Sequence, residues 1–170
     1  INGKQVKCCF YQTWQNMLKR CYDLKCQAMH PTYLGCSVIP EWLFYSQFKS
    51  WMEQQDWQGK ELDKDLLFPG NKLYSPDTCV FLDKTTNLFT TDSGSSRGDF
   101  PVGVSMQKLS GKFIAKCRNP FTKKSDYLGF FSCHIEAHNA WKKRKHELAC
   151  QLADLQSDNR VADALRVRYA

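Results

Sequence analysis

Between Tyr11 and Tyr22 the apolar side chains fall at Trp14, Met17, Leu18, Cys21 and Tyr22. That spacing lines one face of a helix. Residues 23–39 lose the period, with His30-Pro31 and Gly35 as punctuation, and read as irregular. The period returns after Pro40, which suits a first helical position, and Phe44, Phe48, Trp51 and Met52 form a second stripe that ends by Gly59. The pattern then changes. Two short apolar runs, Leu62–Phe68 and Cys79–Leu82, are separated by the turn signals Pro69-Gly70-Asn71 and Ser75-Pro76-Asp77. This predicts a β-hairpin with a wide loop. A short helix is expected over Asp83–Thr91.

Asp92–Asp99, DSGSSRGD, is the one stretch with linker composition. Beyond it VGVSMQK, KFIAKCR and DYLGFFS read as three strands, with Gly111 and Asn119-Pro120 supplying turns. Ile135–Leu155 reads as a long helix, with Ala137, Ala140, Trp141, Leu148 and Leu152 among its inward positions. Asn159–Tyr169 is a short helix or a frayed tail. The expected fold class is α+β. The expected organisation is an N-terminal domain over 1–92, a linker over 93–100, a three-stranded sheet plus helix over 101–156, and a C-terminal tail over 157–170.

A chain of 170 residues with 42% hydrophobic and 24% charged residues has the composition of a folded protein. No apolar run approaches the roughly 18 residues of a membrane span. Ile1–Cys9 is polar and has no apolar export core, so neither a membrane partner nor secretion is expected. The nine cysteines then read as thiols of a reducing cytoplasm. The formal charge of +7 is unevenly spread. Residues 1–96 hold 10 basic and 10 acidic side chains, residues 97–150 hold 11 and 4, and residues 151–170 hold 3 of each. One segment carries the whole excess, as a phosphate-binding surface requires. A solvated basic face is the bland reading of the same numbers.

Two clusters carry candidate chemistry. Asp63 stands at the end of one expected strand, and Asn87 lies about 24 residues later on the short helix. A carboxylate and an amide so placed suit a hard divalent cation, which takes a few oxygen ligands and keeps positions for water and phosphate. Asp63 and Asp65 as solvated acids, and Asn87 on a helix surface, are the bland reading. Cys8, Cys9, Cys21, Cys26, His30 and Cys36 place six soft or borderline ligands within 29 residues. A structural zinc site needs four. Cys21-x4-Cys26 is the closest spaced pair within Cys21–Cys36, no CxxC pair is present, and Cys21 also fits the apolar helical face as core.

Residues 11–90 resemble the phage-borne HNH-type endonucleases of the homing-endonuclease kind. The likeness is carried by Tyr11-x-x-Trp14-x-x-Met17-x-x-Arg20-Cys21, Pro31-Thr32-Tyr33, Gly35-Cys36, Trp42 and Phe48. Its strongest part is Gly59-Lys60-Glu61-Leu62-Asp63-Lys64-Asp65, then Tyr74-Ser75-Pro76-Asp77-Thr78-Cys79. The resemblance implies a ββα-metal motif around one Mg²⁺ or Mn²⁺, with Asp63 and Asn87 as ligands and Lys64 where such enzymes often place a general-base histidine. It also implies Cys8, Cys21 and Cys36 as zinc ligands, and His30 is the candidate fourth. Lysine departs from the pattern, because an unperturbed lysine is protonated at neutral pH. Lys64 is then a base depressed by the adjacent metal, a cation stabilising the transition state, or the mark of a degenerate site.

Gly103-Val104-Ser105, Gly111-Lys112-Phe113-Ile114-Ala115, Tyr127-Leu128-Gly129-Phe130-Phe131 and Glu136-Ala137-x-x-Ala140 are similar to AP2-type DNA-binding domains over about residues 101–150. Such domains lay a three-stranded sheet in the major groove and pack one helix behind it. Lys108, Lys112, Lys116, Arg118, Lys123 and Lys124 are the expected DNA contacts. Alternation from Phe113 and Ala115, or from Ile114, leaves the exposed set open. Lysines in place of the family's arginines and tryptophans favour phosphate contact over base readout. Lys142–Lys145 is expected to be a solvated face, His134 with His138 a surface or satisfied pair, and Cys117, Cys133 and Cys150 buried or idle thiols.

Together these readings anticipate a metal-dependent endonuclease that cuts or nicks duplex DNA, in a host cell's cytoplasm if phage-encoded, with no small-molecule substrate. The rivals are a non-catalytic DNA-binding protein on a degenerate nuclease fold, and a zinc-stapled protein that binds RNA or an acidic protein.

Overall fold

In the computed structural model, which describes residues 8–91 and 99–170, the first apolar stripe forms α1 (Cys9–Tyr22). Met17 and Cys21 on its inner face are buried, and the Trp14 indole N–H donates to the Trp42 carbonyl at 2.8 Å. The stretch expected to be irregular is partly helical, because the Asp23 carboxylate accepts the Cys26 N–H at 2.9 Å and so starts α2 (Leu24–Met29). A single 3₁₀ turn, Pro31–Tyr33, leads to β1 (Ser37–Val38).

Pro40 opens a helix as expected, but only the 3₁₀ turn Pro40–Leu43. Phe44 is extended, and α3 (Tyr45–Met52) begins after it. The extended residue breaks the second stripe, so Phe44 is exposed while Phe48 and Met52 are buried. The hairpin forms: β2 (Glu61–Asp63) pairs antiparallel with β4 (Val80–Leu82), with Leu62 opposite Phe81 and Asp63 opposite Val80. Its wide loop carries β3 (Leu73–Tyr74), which pairs parallel with β1. Met17, Trp42, Phe48, Leu62, Tyr74 and Phe81 belong to one core.

The described residues divide into two compact units, one within Ile1–Lys84 and one within Thr85–Ala170. The short expected helix is α4 (Lys84–Thr90), and it sorts almost wholly with the second unit rather than with the hairpin. The reason is Phe89. Its carbonyl accepts from Lys145 Nζ at 2.6 Å, and the same ammonium lies 3.4 Å from its ring centroid. Residues 92–98, most of the expected linker, lie outside the described residues.

In the second unit β5 (Val104–Gln107), β6 (Lys112–Arg118) and β7 (Ser125–Phe131) form an antiparallel sheet in chain order. They are followed by α5 (His134–Ala153) and α6 (Asn159–Arg168). Within the C-terminal segment 157–170, left open between a short helix and a frayed tail, the helix forms, with Val161, Ala162 and Leu165 buried. The Lys142–Lys145 run is not one solvated face. Lys142 and Lys143 are exposed, Arg144 pairs with Asp126 and Glu147, and Lys145 is buried against Phe89, with the Tyr169 ring centroid at 5.1 Å. No helix among the described residues is long and apolar enough to cross a membrane.

Asp158 caps α6, accepting the Arg160 N–H at 2.9 Å and its guanidinium at 2.8 Å. The Arg160 side chain, more than the backbone N–H groups, holds this carboxyl below its ordinary value against a smaller desolvation effect. A depressed folded value means that the cap contributes fully above the ordinary carboxylate range and is lost as pH falls through the folded value. Asp158→Ala is therefore expected to cost about 0.5–2 kcal/mol at neutral pH, with variant and wild type converging in acid. Chemical denaturation across pH checks both parts.

Candidate functional site

Strand β6 builds one face of the site by alternation. Ala115 and Cys117 are buried against α5, and Phe113 packs on His134 at 5.6 Å between centroids. Lys112, Ile114, Lys116 and Arg118 therefore point away from α5. The choice that the sequence leaves open is thus settled in favour of Phe113, Ala115 and Cys117 as the inner set.

On β7 the ladder slips. Ala115 pairs with Gly129 and Lys116 with Tyr127, so Leu128 is the extra residue of a β-bulge. Residues three apart on a regular strand face opposite ways. Here the extra residue turns both Tyr127 and Phe130 outward. They are 53% and 51% exposed, edge to face with centroids 5.7 Å apart. Across the ladder Phe130 lies beside Ile114, and Tyr127 beside Lys116.

All six residues expected to contact DNA are exposed. Lys112, Lys116 and Arg118 share the outward face of β6, Lys108 lies in the β5–β6 turn, and Lys123 and Lys124 lie in the β6–β7 turn. Lys123 holds a positive φ of 57° at that turn. Asp126 is the one acid on the three strands, and it faces the helix side, where Arg144 holds it at 2.9 Å. The outward face thus combines cations and aromatic rings with no strand carboxylate to oppose an anionic polymer.

The hairpin residues have a different character. Asp63 ends β2, and its Oδ2 accepts the N–H groups of Asp65 at 2.8 Å and Leu66 at 2.7 Å. Burial pushes this carboxyl up from its ordinary value, opposed by those two N–H groups. Lys64 is only 4% exposed. Its Nζ donates to the Asn71 carbonyl at 2.7 Å and to Asp65 Oδ1. Asn71 in turn donates to the carbonyls of Lys64 at 2.9 Å and Leu73 at 2.7 Å. Lys64 and Asn71 together clamp the wide loop. Asn87 is half-buried on α4 in the second unit, where its carbonyl accepts the Thr90 and Thr91 hydroxyls at 3.1 and 2.8 Å.

For a hard cation the donor chemistry fits at Asp63, a carboxylate oxygen oriented by backbone N–H groups. The four residues expected to hold zinc lie in two kinds of environment. Cys21 and Cys36 are buried in the core, and burial pushes the Cys21 thiol up to about 12. Cys8 is exposed at the start of α1, 3.5 Å from the Tyr45 hydroxyl, and His30 is exposed beside the Tyr33 ring. Among the described residues no group of three or more His, Cys, Asp or Glu side chains gathers for a metal. The apolar face of α1 takes Cys21 as core, which is the competing reading of that residue. His134 packs on Phe100 and Phe113, while His138 bonds the Val102 carbonyl at 3.0 Å and stacks on Trp141. Cys117 is buried, Cys133 accepts the Ile135 N–H to cap α5, and Cys150 lies 3.7 Å from His146 Nε2.

Sequence reasoning missed Ile114, Tyr127 and Phe130 as surface residues of the site. Gly129 inside an otherwise regular strand pattern was the available signal for a bulge. Compared with models of protein families, with curated proteins and with solved structures, the chain matches none of them.

Lys64→Met is expected to lower stability by about 1–3 kcal/mol, because it leaves a half-buried carbonyl without its donor. Equilibrium denaturation of the metal-free protein measures this, and an unchanged midpoint would contradict the clamp.

Proposed function

We propose that the chain binds duplex DNA through the outward face of the C-terminal sheet. The proposal extends to catalysis: the bound strand is hydrolysed or nicked with a divalent metal, in the manner of the HNH-type endonucleases that the sequence resembles. The observation that carries the binding half is the placement of Lys112, Lys116 and Arg118 on one strand face. Lys108, Lys123 and Lys124 flank them at the turns, and Asp126 is turned away. Cations spaced along an extended strand match the regular phosphates of a duplex, and their binding releases condensed counterions. The AP2-type domains that the sequence resembles present such side chains to the major groove from a three-stranded sheet.

The catalytic half rests on Asp63 and its surroundings. A divalent ion, when bound, supplies positive charge to the phosphodiester and its leaving oxygen. Asp63 would help to hold it, with the Asp65 and Leu66 N–H groups fixing the carboxylate. One observation favours the rival reading of a DNA-binding protein without catalysis. The Lys64 ammonium is buried and committed to Asn71 and Asp65, so it does not present a base to solvent.

Two measurements divide these readings. Binding to duplex DNA is expected to weaken steeply with salt. Replacing Lys112, Lys116 and Arg118 together by Ala is expected to lower the log–log salt slope by roughly one for each lost phosphate contact. A slope near zero in the wild type would remove phosphate-led binding. Cleavage of plasmid and phage DNA is expected to need Mg²⁺ or Mn²⁺ and to disappear in EDTA and in Asp63→Asn. The amide oxygen of that variant still accepts both backbone N–H bonds. Cleavage unchanged in Asp63→Asn would overturn the catalytic assignment, and DNA binding without cleavage would select the rival.

A further inference from the structure

We infer that Ile114, Tyr127 and Phe130 read the C5-methyl groups of thymine in the major groove, so that the chain discriminates among duplexes by methyl content as well as by phosphate contact. The inference rests on the proposed binding of duplex DNA by this face and names what the face recognises there.

The argument begins with the bulge. A regular β7 would point Tyr127 and Phe130 to opposite faces of the sheet. The unpaired Leu128 brings both to the outward face, about half exposed, where they meet edge to face. Bulges re-aim side chains at a local cost in ladder hydrogen bonds. Here the result is an apolar ridge, Ile114 beside Phe130 and the Tyr127 ring next to it, in the middle of a face whose remaining outward positions on β6 are Lys112, Lys116 and Arg118.

Charge sets the partner and the ridge sets the contact. The flanking cations engage phosphates, and such contacts carry no sequence information directly. With the backbone so held, the centre of the sheet face meets the edges of the bases. Most groups on the major-groove edge are hydrogen-bond donors or acceptors, which an Ile side chain and the faces of Phe and Tyr rings do not satisfy. The thymine C5-methyl is the apolar one. Covering polar base edges with this ridge leaves hydrogen bonds unmade, whereas covering methyl groups buries apolar surface on both sides.

The test compares two randomised duplex pools of the same sequence distribution, one synthesised with thymine and one with uracil. The pools differ only at the C5 position. The full-length chain is measured by competition for each pool at fixed salt. The wild type is expected to bind the thymine pool roughly three- to tenfold more tightly, the effect of burying one or two methyl groups. The double variant Tyr127→Ala, Phe130→Ala is expected to lose most of that preference while keeping the wild-type salt slope. Both side chains are exposed, so the variant retains the fold, and circular dichroism with a thermal midpoint verifies that it does. Equal binding of both pools by the wild type, with a normal salt slope, overturns methyl readout and leaves duplex binding standing. Failure to bind either pool overturns the binding itself. A double variant that keeps the wild-type preference for thymine while both affinities fall alike assigns the two rings to general affinity and overturns the inference.

Discussion

The close packing of α5 on the inner face of the sheet is the contact on which the second unit depends. It is made by small side chains. Ala115 and Cys117 from β6 and Ala137 from α5 are wholly or almost wholly buried. At Gly103 a Cβ would lie 2.0 Å from the Trp141 ring, so only glycine admits that approach, and its φ of +80° suits glycine as well. Once α5 covers this face, the phase of β6 is set. Phe113, Ala115 and Cys117 lie inside, and Lys112, Lys116 and Arg118 lie outside. The same packing draws Asp126 to Arg144, which removes the one strand carboxylate from the basic side.

The middle of α5 is anchored by a buried cation. Lys145 reaches the Phe89 carbonyl and lies over the Phe89 ring, with Trp141 and Tyr169 as further walls of the aromatic pocket. A buried ammonium is costly unless it is hydrogen-bonded and faced by π-electron density, and both conditions are met. This contact joins α4, α5 and the residue after α6. It explains why a helix expected beside the hairpin and a segment left open between helix and frayed tail both belong to the second unit.

The first unit has another logic. Trp42, Phe48, Trp51 and Phe81 form a chain of ring contacts, and the hairpin rests on it through Leu62 and Phe81. The loop between the hairpin strands is long, and it is restrained by the mutual bonds of Lys64 and Asn71 and by the β1–β3 pair. A lysine standing where a histidine base is expected is therefore explained by the architecture of the loop. That explanation is independent of whether the neighbouring Asp63 takes part in chemistry.

Much of this was legible in the residues. Helical stripes, the hairpin runs, the three strands and the long helix follow from periodicity, because a side chain's direction repeats with its own local backbone geometry. Exposure of the basic side chains was legible residue by residue, since lysine and arginine rarely bury, but which face of β6 they share was not. Four further features were decided only by tertiary structure. Phe44 left its stripe because one extended residue interrupts the helix. Cys21 and Cys36 are buried in the core, because their environment is set by distant partners. Lys145 left the solvated face because Phe89, 56 residues away, supplies its acceptor. Tyr127 and Phe130 share a face because β7 pairs with β6 out of step by one residue. A strand's own period cannot report that slip, since register is a property of two strands and of the helix that covers them.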